Sequence, residues 1–542
     1  MKTLNRFASG LATALAVIVG IAYAAAPPNV VTSDTAGNTA MGRLALSSLT
    51  TGDSNTAAGF IALNLNTTGS GNTATGSGAL GSNTIGSSNT ASGSAALGKN
   101  TTGLKNTASG AGALNFNTTG ESNTAVGYWA LISNTTAGGL TALGALALQN
   151  NTTGQSNTAT GYGALASNTA GSRNTATGSV ALASNTTGGE NTAFGSSALV
   201  GNTVGNANSA FGFNALANNT NGIDNTAAGW TALLFNTTGV WNTATGSRAL
   251  QNNTTGKDNT GTGFAALDRN TIGDANTATG SRAMVSNTTG GWNTAIGYTA
   301  LNSNTSGNNN VAVGYSALYQ NTSGYRNVAL GYLAGYAVTG SDNITIGGDN
   351  QGQAGVNGLI RIGNKAYQKK TFIAGIKGVT TGLSTASAVF VDGNGQLGTI
   401  KSSVRFKEDI LPMGNVSERL FVLRPVTFRY KQPDEDGSKP VQFGLIAEEV
   451  AKTFPELVIY DDEGKPESVS YHLLATLLLN EFQKEHRLNR HHAEQLARLQ
   501  SQVESQATQL AEVSELKRQL AEVKELLAAL QPQTRELQVA QR

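Results

Sequence analysis

The chain has 542 residues, 13% of them charged, with a formal net charge of +2, 67 glycines and no cysteine. That length exceeds one domain, and the balanced charge leaves no electrostatic footprint for nucleic acid or an anionic membrane surface. Without cysteine there are no disulfides and no thiolate metal sites, so extracellular stability would have to come from packing and association.

Residues 1–24 read as a signal peptide. Lys2 and Arg6 make a basic start, Leu11 to Ile21 is an apolar core, and Ala22-Tyr23-Ala24 is a small-x-small cleavage site. An uncleaved anchor is the alternative, but the apolar core is short for a span of about 20 residues. No later stretch is apolar enough to cross a bilayer. The expected product is exported, secreted or held at the cell surface, from a bacterial source, with no transmembrane span in the mature chain.

Residues 25–347 form a repeat array. From Asn38 the pattern N-T-A-x-G-x-x-A-L-x-x-N-T-T-G-x-x recurs every 17 residues, with its first Asn at 38, 55, 72, 89, 106 and 123 and again from 157 to 327. Leu140 takes the Asn slot once, while Gly144 keeps the glycine position. A period this strict predicts one coil per unit stacked on its neighbours, a β-solenoid or β-roll rod, in place of a disordered Gly/Asn/Thr tract. Units such as Asn123-Thr124-Ala125-Val126-Gly127 suit a short strand, and Tyr128-Trp129-Ala130-Leu131 suits a helical turn or a second strand. The corner at Asn134-Thr135-Thr136 is placed to stack as an amide ladder. The glycine at unit position five, invariant from Gly42 to Gly331, points to a backbone or a close approach that a Cβ would block. Inward residues are expected to be Ala and Leu, such as Ala62 and Leu63. That core is thin, and it gains most if three chains pack together. The Asn-x-Thr triplets match glycosylation acceptors, but their periodicity makes them by-products of the corner. The array is similar to the NTAxGxxAL heads of trimeric autotransporter adhesins, although its period is longer and no membrane barrel follows. The resemblance implies a trimeric β-roll.

Residues 348–400 alternate strand-like runs (Leu359–Ile362, Thr371–Ile376, Ala388–Val391, Leu397–Ile400) with glycine turns, a β-rich stalk. At its end stands Ser402-Ser403-Val404-Arg405-Phe406-Lys407. A serine hydroxyl and a lysine amine at this spacing could form a nucleophile–base pair if burial or a nearby cation, such as Arg405, lowers the lysine pKa.

Ser402 to Ile410 is followed by Leu423-Arg424-Pro425-Val426-Thr427-Phe428-Arg429-Tyr430, by Phe443-Gly444-Leu445-Ile446-Ala447-Glu448-Glu449-Val450 and by Pro455-Glu456-Leu457-Val458. These ordered motifs resemble the intramolecular chaperone auto-processing domain (peptidase family S-74) that ends phage tailspikes and tail fibres. The resemblance assigns residues 401–490 to a small α+β chaperone domain that assembles as a homotrimer, guides a fibre to fold and then cuts itself off. It maps Ser402 to the nucleophile, Lys407 to the base and Arg405 to a supporting role, with cleavage between Lys401 and Ser402. Ser403 stands where the family usually carries Asp. Within this domain Val416–Leu423 and Gly444–Thr453 read as helices and Val426–Tyr430 as a strand. Glu448 and Glu449 point about 100° apart on a helix, so they read as a solvated face and not as an acid/base pair. His472, His486, His491 and His492 show no metal-site spacing, and no cofactor is called for.

Residues 491–531 read as a coiled coil. Leu496, Leu499, Val503, Gln506, Leu510 and Val513 fall on a 3-4 spacing that resumes after one stammer at Leu516 and runs to Leu530. Residues 532–542, beginning with Pro532, read as a disordered tail. The sequence thus describes a mainly β trimeric fibre whose enzymatic activity is at most one self-cleavage in cis. Its partners would be its own copies and a cell-surface glycan or host receptor. Two alternatives are a fibre with an uncleaved trimer clamp, and a tailspike-type fibre that binds or cleaves glycans.

Overall fold

A computed structural model describes residues 31–374, 376, 387–392, 395–461, 463–509, 518, 520–526 and 528. The signal segment, the tail at 532–542 and most of the seam between Leu510 and Leu530 lie outside them. The chain divides into two units, Met1–Phe372 and Ile373–Arg542.

The first unit is a β-solenoid of about nineteen turns. Twenty three-residue strands, β2 (Thr39–Met41) through β21 (Ile360–Ile362), stack in parallel and in register, so that Thr175 pairs with Thr192 and Ala176 with Ala193. The parallel stack runs one coil beyond the expected array end, through Ile360–Ile362. At the other end β1 (Val31–Ser33) pairs antiparallel with β2 and closes that edge. At about 4.8 Å per step, nineteen steps make a rod on the order of 90 Å long.

Each coil closes its own core. Ala57, Ala62 and Leu63 have no solvent exposure, and their equivalents repeat along the rod. The thin Ala/Leu core is therefore sealed within one chain. The glycine expectation holds. Gly195 adopts φ +139, and a Cβ there would lie 2.4 Å from the Gly212 carbonyl oxygen of the next coil.

Tyr128–Leu131 forms neither a helical turn nor a second strand. It is an arc in which Trp129 (φ 57) and Leu131 (φ 55) are left-handed, a pattern repeated at Ile61 and Leu63. A helical turn would use these N–H groups within the coil. The arc instead sends them along the rod axis: Trp129 N donates to Ala111 O at 3.1 Å and Leu131 N to Ala147 O at 3.0 Å. Left-handed non-glycine residues cost about 1 kcal/mol or more each, so a lone coil is unfavourable and neighbours must offset the strain.

Two asparagine ladders run along the rod, where the sequence suggested one. At unit position one, Asn55 Nδ2 donates to Asn38 Oδ1 (3.0 Å) and to Gly69 O (2.9 Å), and Asn55 N donates to the same Asn38 oxygen. At position twelve, Asn83 Nδ2 donates to Asn66 Oδ1 and to Gly86 O, both at 2.8 Å. A threonine hydroxyl ladder follows, with Thr67 Oγ1 donating to Thr84 O. The position-twelve asparagine, which begins most of the Asn-x-Thr triplets, is buried and engaged, so a glycan on it is incompatible with the stack. Leu140 breaks the first ladder. Its N–H still reaches Asn123 Oδ1 at 3.0 Å, but it offers no oxygen to Asn157.

The second unit is small and mixed. β22 (Phe390–Val391) pairs with β23 (Leu397–Gly398), and of the strand expected at Thr371–Ile376, which straddles the boundary, the described residues 371–374 and 376 form none. A 3-10 helix at Val416–Val422 leads into β24 (Val426–Phe428), which pairs with β25 (Gln442–Gly444). Then come helix α1 (Ala447–Thr453), a hairpin of β26 (Val458–Tyr460) and β27 (Pro466–Val469), and helix α2 (Tyr471–Gln509). Val450, Phe454, Leu457, Val458, Val469 and Leu477 are its buried core. Among the described residues, only the first turns of α2 serve that core. Farther along, Leu488 and Leu499 stay about half exposed.

Candidate functional site

The site is built on a short 3-10 turn, Val404–Phe406, with Ser403 at its N-cap. Ser403 is extended, and its Oγ accepts from Arg405 N at 3.4 Å and from Arg405 Nε at 3.3 Å. Capping is a common use of serine because its oxygen satisfies an otherwise orphaned N–H. The turn brings the chain back on itself, so Lys407 Nζ donates to Ser402 Oγ at 3.2 Å. The proposed nucleophile and base are therefore in direct contact, as a nucleophile–base pair requires.

Phe406 gathers the two neighbouring cations. Lys401 Nζ sits 4.6 Å from its ring centroid and the Arg405 guanidinium 5.4 Å. Arg405 thus faces Ser403 and Phe406, while the residue before the proposed cut rests on the same ring. All of 401–410 is exposed.

Contacts distant in sequence hold the rest of the unit. Ser417 is fully buried, and its hydroxyl donates to Glu481 while Asn480 Nδ2 donates to Ser417 Oγ at 2.6 Å. Lys484 Nζ bridges Glu481 (2.9 Å) and Glu418 (3.0 Å). The Ser417 hydroxyl and the Lys484 ammonium hold the Glu481 carboxyl below its ordinary range. This cluster fixes α2 to the 3-10 helix. Sequence reasoning missed it because its partners lie more than sixty residues apart. Glu448 is exposed as expected. Glu449, read as part of a solvated face, is paired with Arg424, whose hydrogen bond lowers the Glu449 pKa.

An apolar groove of about 520 Å³ opens between β24, β25 and α2, walled by Leu420, Leu423, Val426, Phe443, Leu474 and Leu478. Phe443, on its wall, is 81% exposed. Large exposed apolar patches are characteristic of interaction surfaces. Among the described residues no helix is long and apolar enough to cross a membrane.

No curated protein and no solved structure matches the chain. One segment does match a family model, and it begins at the serine in contact with Lys407: residues 402–459 are similar to the family described as the chaperone of endosialidase.

Proposed function

We propose that the chain is the precursor of an exported, tail-fibre-like or adhesin-like trimer, in which the second unit gathers three copies, aligns their rods and then severs itself. The observation that carries this reading is the 3.2 Å contact between Lys407 and Ser402, at the head of the chaperone-like segment and downstream of a rod. The exposed apolar groove and the long α2, with Leu488 and Leu499 uncovered by their own chain, supply the surfaces on which copies would meet.

In the cut, Ser402 Oγ gives its proton to the Lys407 amine and attacks the Lys401 carbonyl carbon. The Lys401–Ser402 C–N bond breaks, and the proton passes to the new Ser402 amine. Water then hydrolyses the Lys401 ester, leaving a carboxylate. Burial disfavours the charged form of a lysine, and Val404, Phe406, Ile410 and Leu411 around Lys407 are all exposed in one chain. Packing of further copies over them would make the amine available, so cleavage would wait for assembly. A Ser402→Ala variant should remain full length on a denaturing gel where the wild type yields two fragments.

A second reading is favoured by one contact. Ser403 offers Arg405 only a neutral oxygen at 3.3 Å, where an aspartate would offer a charge. With the turn held less firmly, the unit would remain attached as a trimer clamp, and the wild type would stay intact.

A further inference from the structure

The array fixes its core and ladder positions and leaves positions six, seven, ten and eleven of each unit free. In the unit that starts at Asn72 these are Ser77, Gly78, Gly81 and Ser82. From Arg248 onward the same face turns to Arg, Asp and Tyr, and its side chains wall a groove of about 860 Å³ that crosses successive coils. Its volume lies in the range of ligand sites.

The groove is cationic. Arg248 Nη2 binds Asp268 Oδ2 at 2.7 Å, which neutralises that pair. Arg269 and Arg282 line the same groove, are exposed, and form no ion pair among the described residues. Asp268 is only 3% exposed, and its second oxygen, Oδ1, has no protein donor. Burying a carboxylate oxygen without a partner is costly, which disfavours the charged form. Burial raises the Asp268 pKa in spite of Arg248, and of Arg269 close by.

The tyrosines narrow the ligand further. Tyr298, Tyr315 and Tyr332 stack at 5.4 and 5.3 Å between centroids, and Tyr319 stacks on Tyr336 at 5.1 Å. Ring faces spent on one another leave edges and hydroxyls for a ligand. Single-stranded nucleic acid, which needs free faces for its bases, is disfavoured. An extended peptide would seek an open strand edge, and the strands along this groove are already paired on both sides.

We infer that the groove from Arg248 to Tyr336 binds an anionic glycan chain lying across the coils. Arg269 and Arg282 take its carboxylate or sulfate groups, while the tyrosine hydroxyls take its sugar hydroxyls. The inference needs neither assembly nor cleavage, so it stands or falls apart from the function proposed above.

The test uses the full chain and titration calorimetry with four probes: an oligogalacturonate, dextran sulfate, neutral dextran and poly-glutamate. The expected result is binding of at least one anionic glycan, weakened about tenfold or more by the double variant Arg269→Gln/Arg282→Gln. Arg173→Gln, on another stretch of the rod, should leave it unchanged. Preference between oligogalacturonate and dextran sulfate identifies carboxylate or sulfate as the anion. Both groove arginines are exposed, so an unchanged melting temperature will show that the double variant folds. Four outcomes would overturn the inference: no binding of either anionic glycan, equal binding of neutral dextran, binding indifferent to the double variant, or equal arginine-dependent binding of poly-glutamate.

Discussion

Lys407 Nζ lies 3.2 Å from Ser402 Oγ, a contact created by a 3-10 turn that Ser403 caps. Five residues in an extended chain would separate these groups by well over 10 Å. The turn is therefore what makes the pair, and whatever stiffens the turn should favour its chemistry.

Ser403→Asp should accelerate cleavage. An aspartate at the cap would accept from the same Arg405 N and Nε with a full negative charge, and charge-assisted bonds are roughly twice as strong as neutral ones. A time course of fragment appearance on denaturing gels checks this. A rate equal to or below wild type contradicts it.

Gly195→Ala should destabilise the rod by about 3 kcal/mol or more, because a Cβ 2.4 Å from the Gly212 carbonyl oxygen must push two coils apart at a φ of +139. Chemical denaturation followed by circular dichroism reads the change. Ala at the exposed Ser196 next to it should have little effect.

Asn208→Ala should cost about 2–4 kcal/mol. It removes the oxygen that receives both Asn225 N and Asn225 Nδ2, and the amide that reaches Asn191 and Gly222. Leu140 shows that one break is tolerated in a long array, so the loss should appear as a lower melting temperature of a folded rod.

The two units should part company in acid. Glu449, Glu456 and Glu481 have folded pKa values below their unfolded ones: Arg424 acts on the first, a backbone bond and then Arg419 on the second, and Ser417 and Lys484 on the third. A depressed carboxyl stabilises above its unfolded pKa of about 4.3 and loses that contribution as pH falls through the folded value. The amide ladders of the rod do not titrate, and its depressed carboxyls, Asp34 and Asp342, lie toward its two ends. Limited proteolysis between pH 6 and pH 3 should cut the second unit first, and simultaneous loss of both units would contradict this.

Much of the rod was legible from one sequence. A period of 17 with fixed Ala, Leu and Gly positions leaves few ways to place a core, and Ala62, Leu63 and the glycine at position five lie where the pattern put them. The arcs were not legible. Left-handed backbone is normally signalled by Gly or Asn, and here Leu, Ile and Trp adopt it because neighbouring coils hold them there. In the second unit the Ser402–Lys407 spacing was visible, but the Ser417–Asn480–Glu481 cluster depends on contacts no local pattern encodes.

The most direct test is a denaturing gel of the exported wild-type protein beside Ser402→Ala, each with and without boiling. The proposed function predicts that unboiled wild type migrates as a resistant trimer of the rod fragment ending at Lys401, that boiling releases its monomer, and that the variant keeps its full length. Intact wild type, or identical fragments from both proteins, would contradict self-cleavage at Ser402.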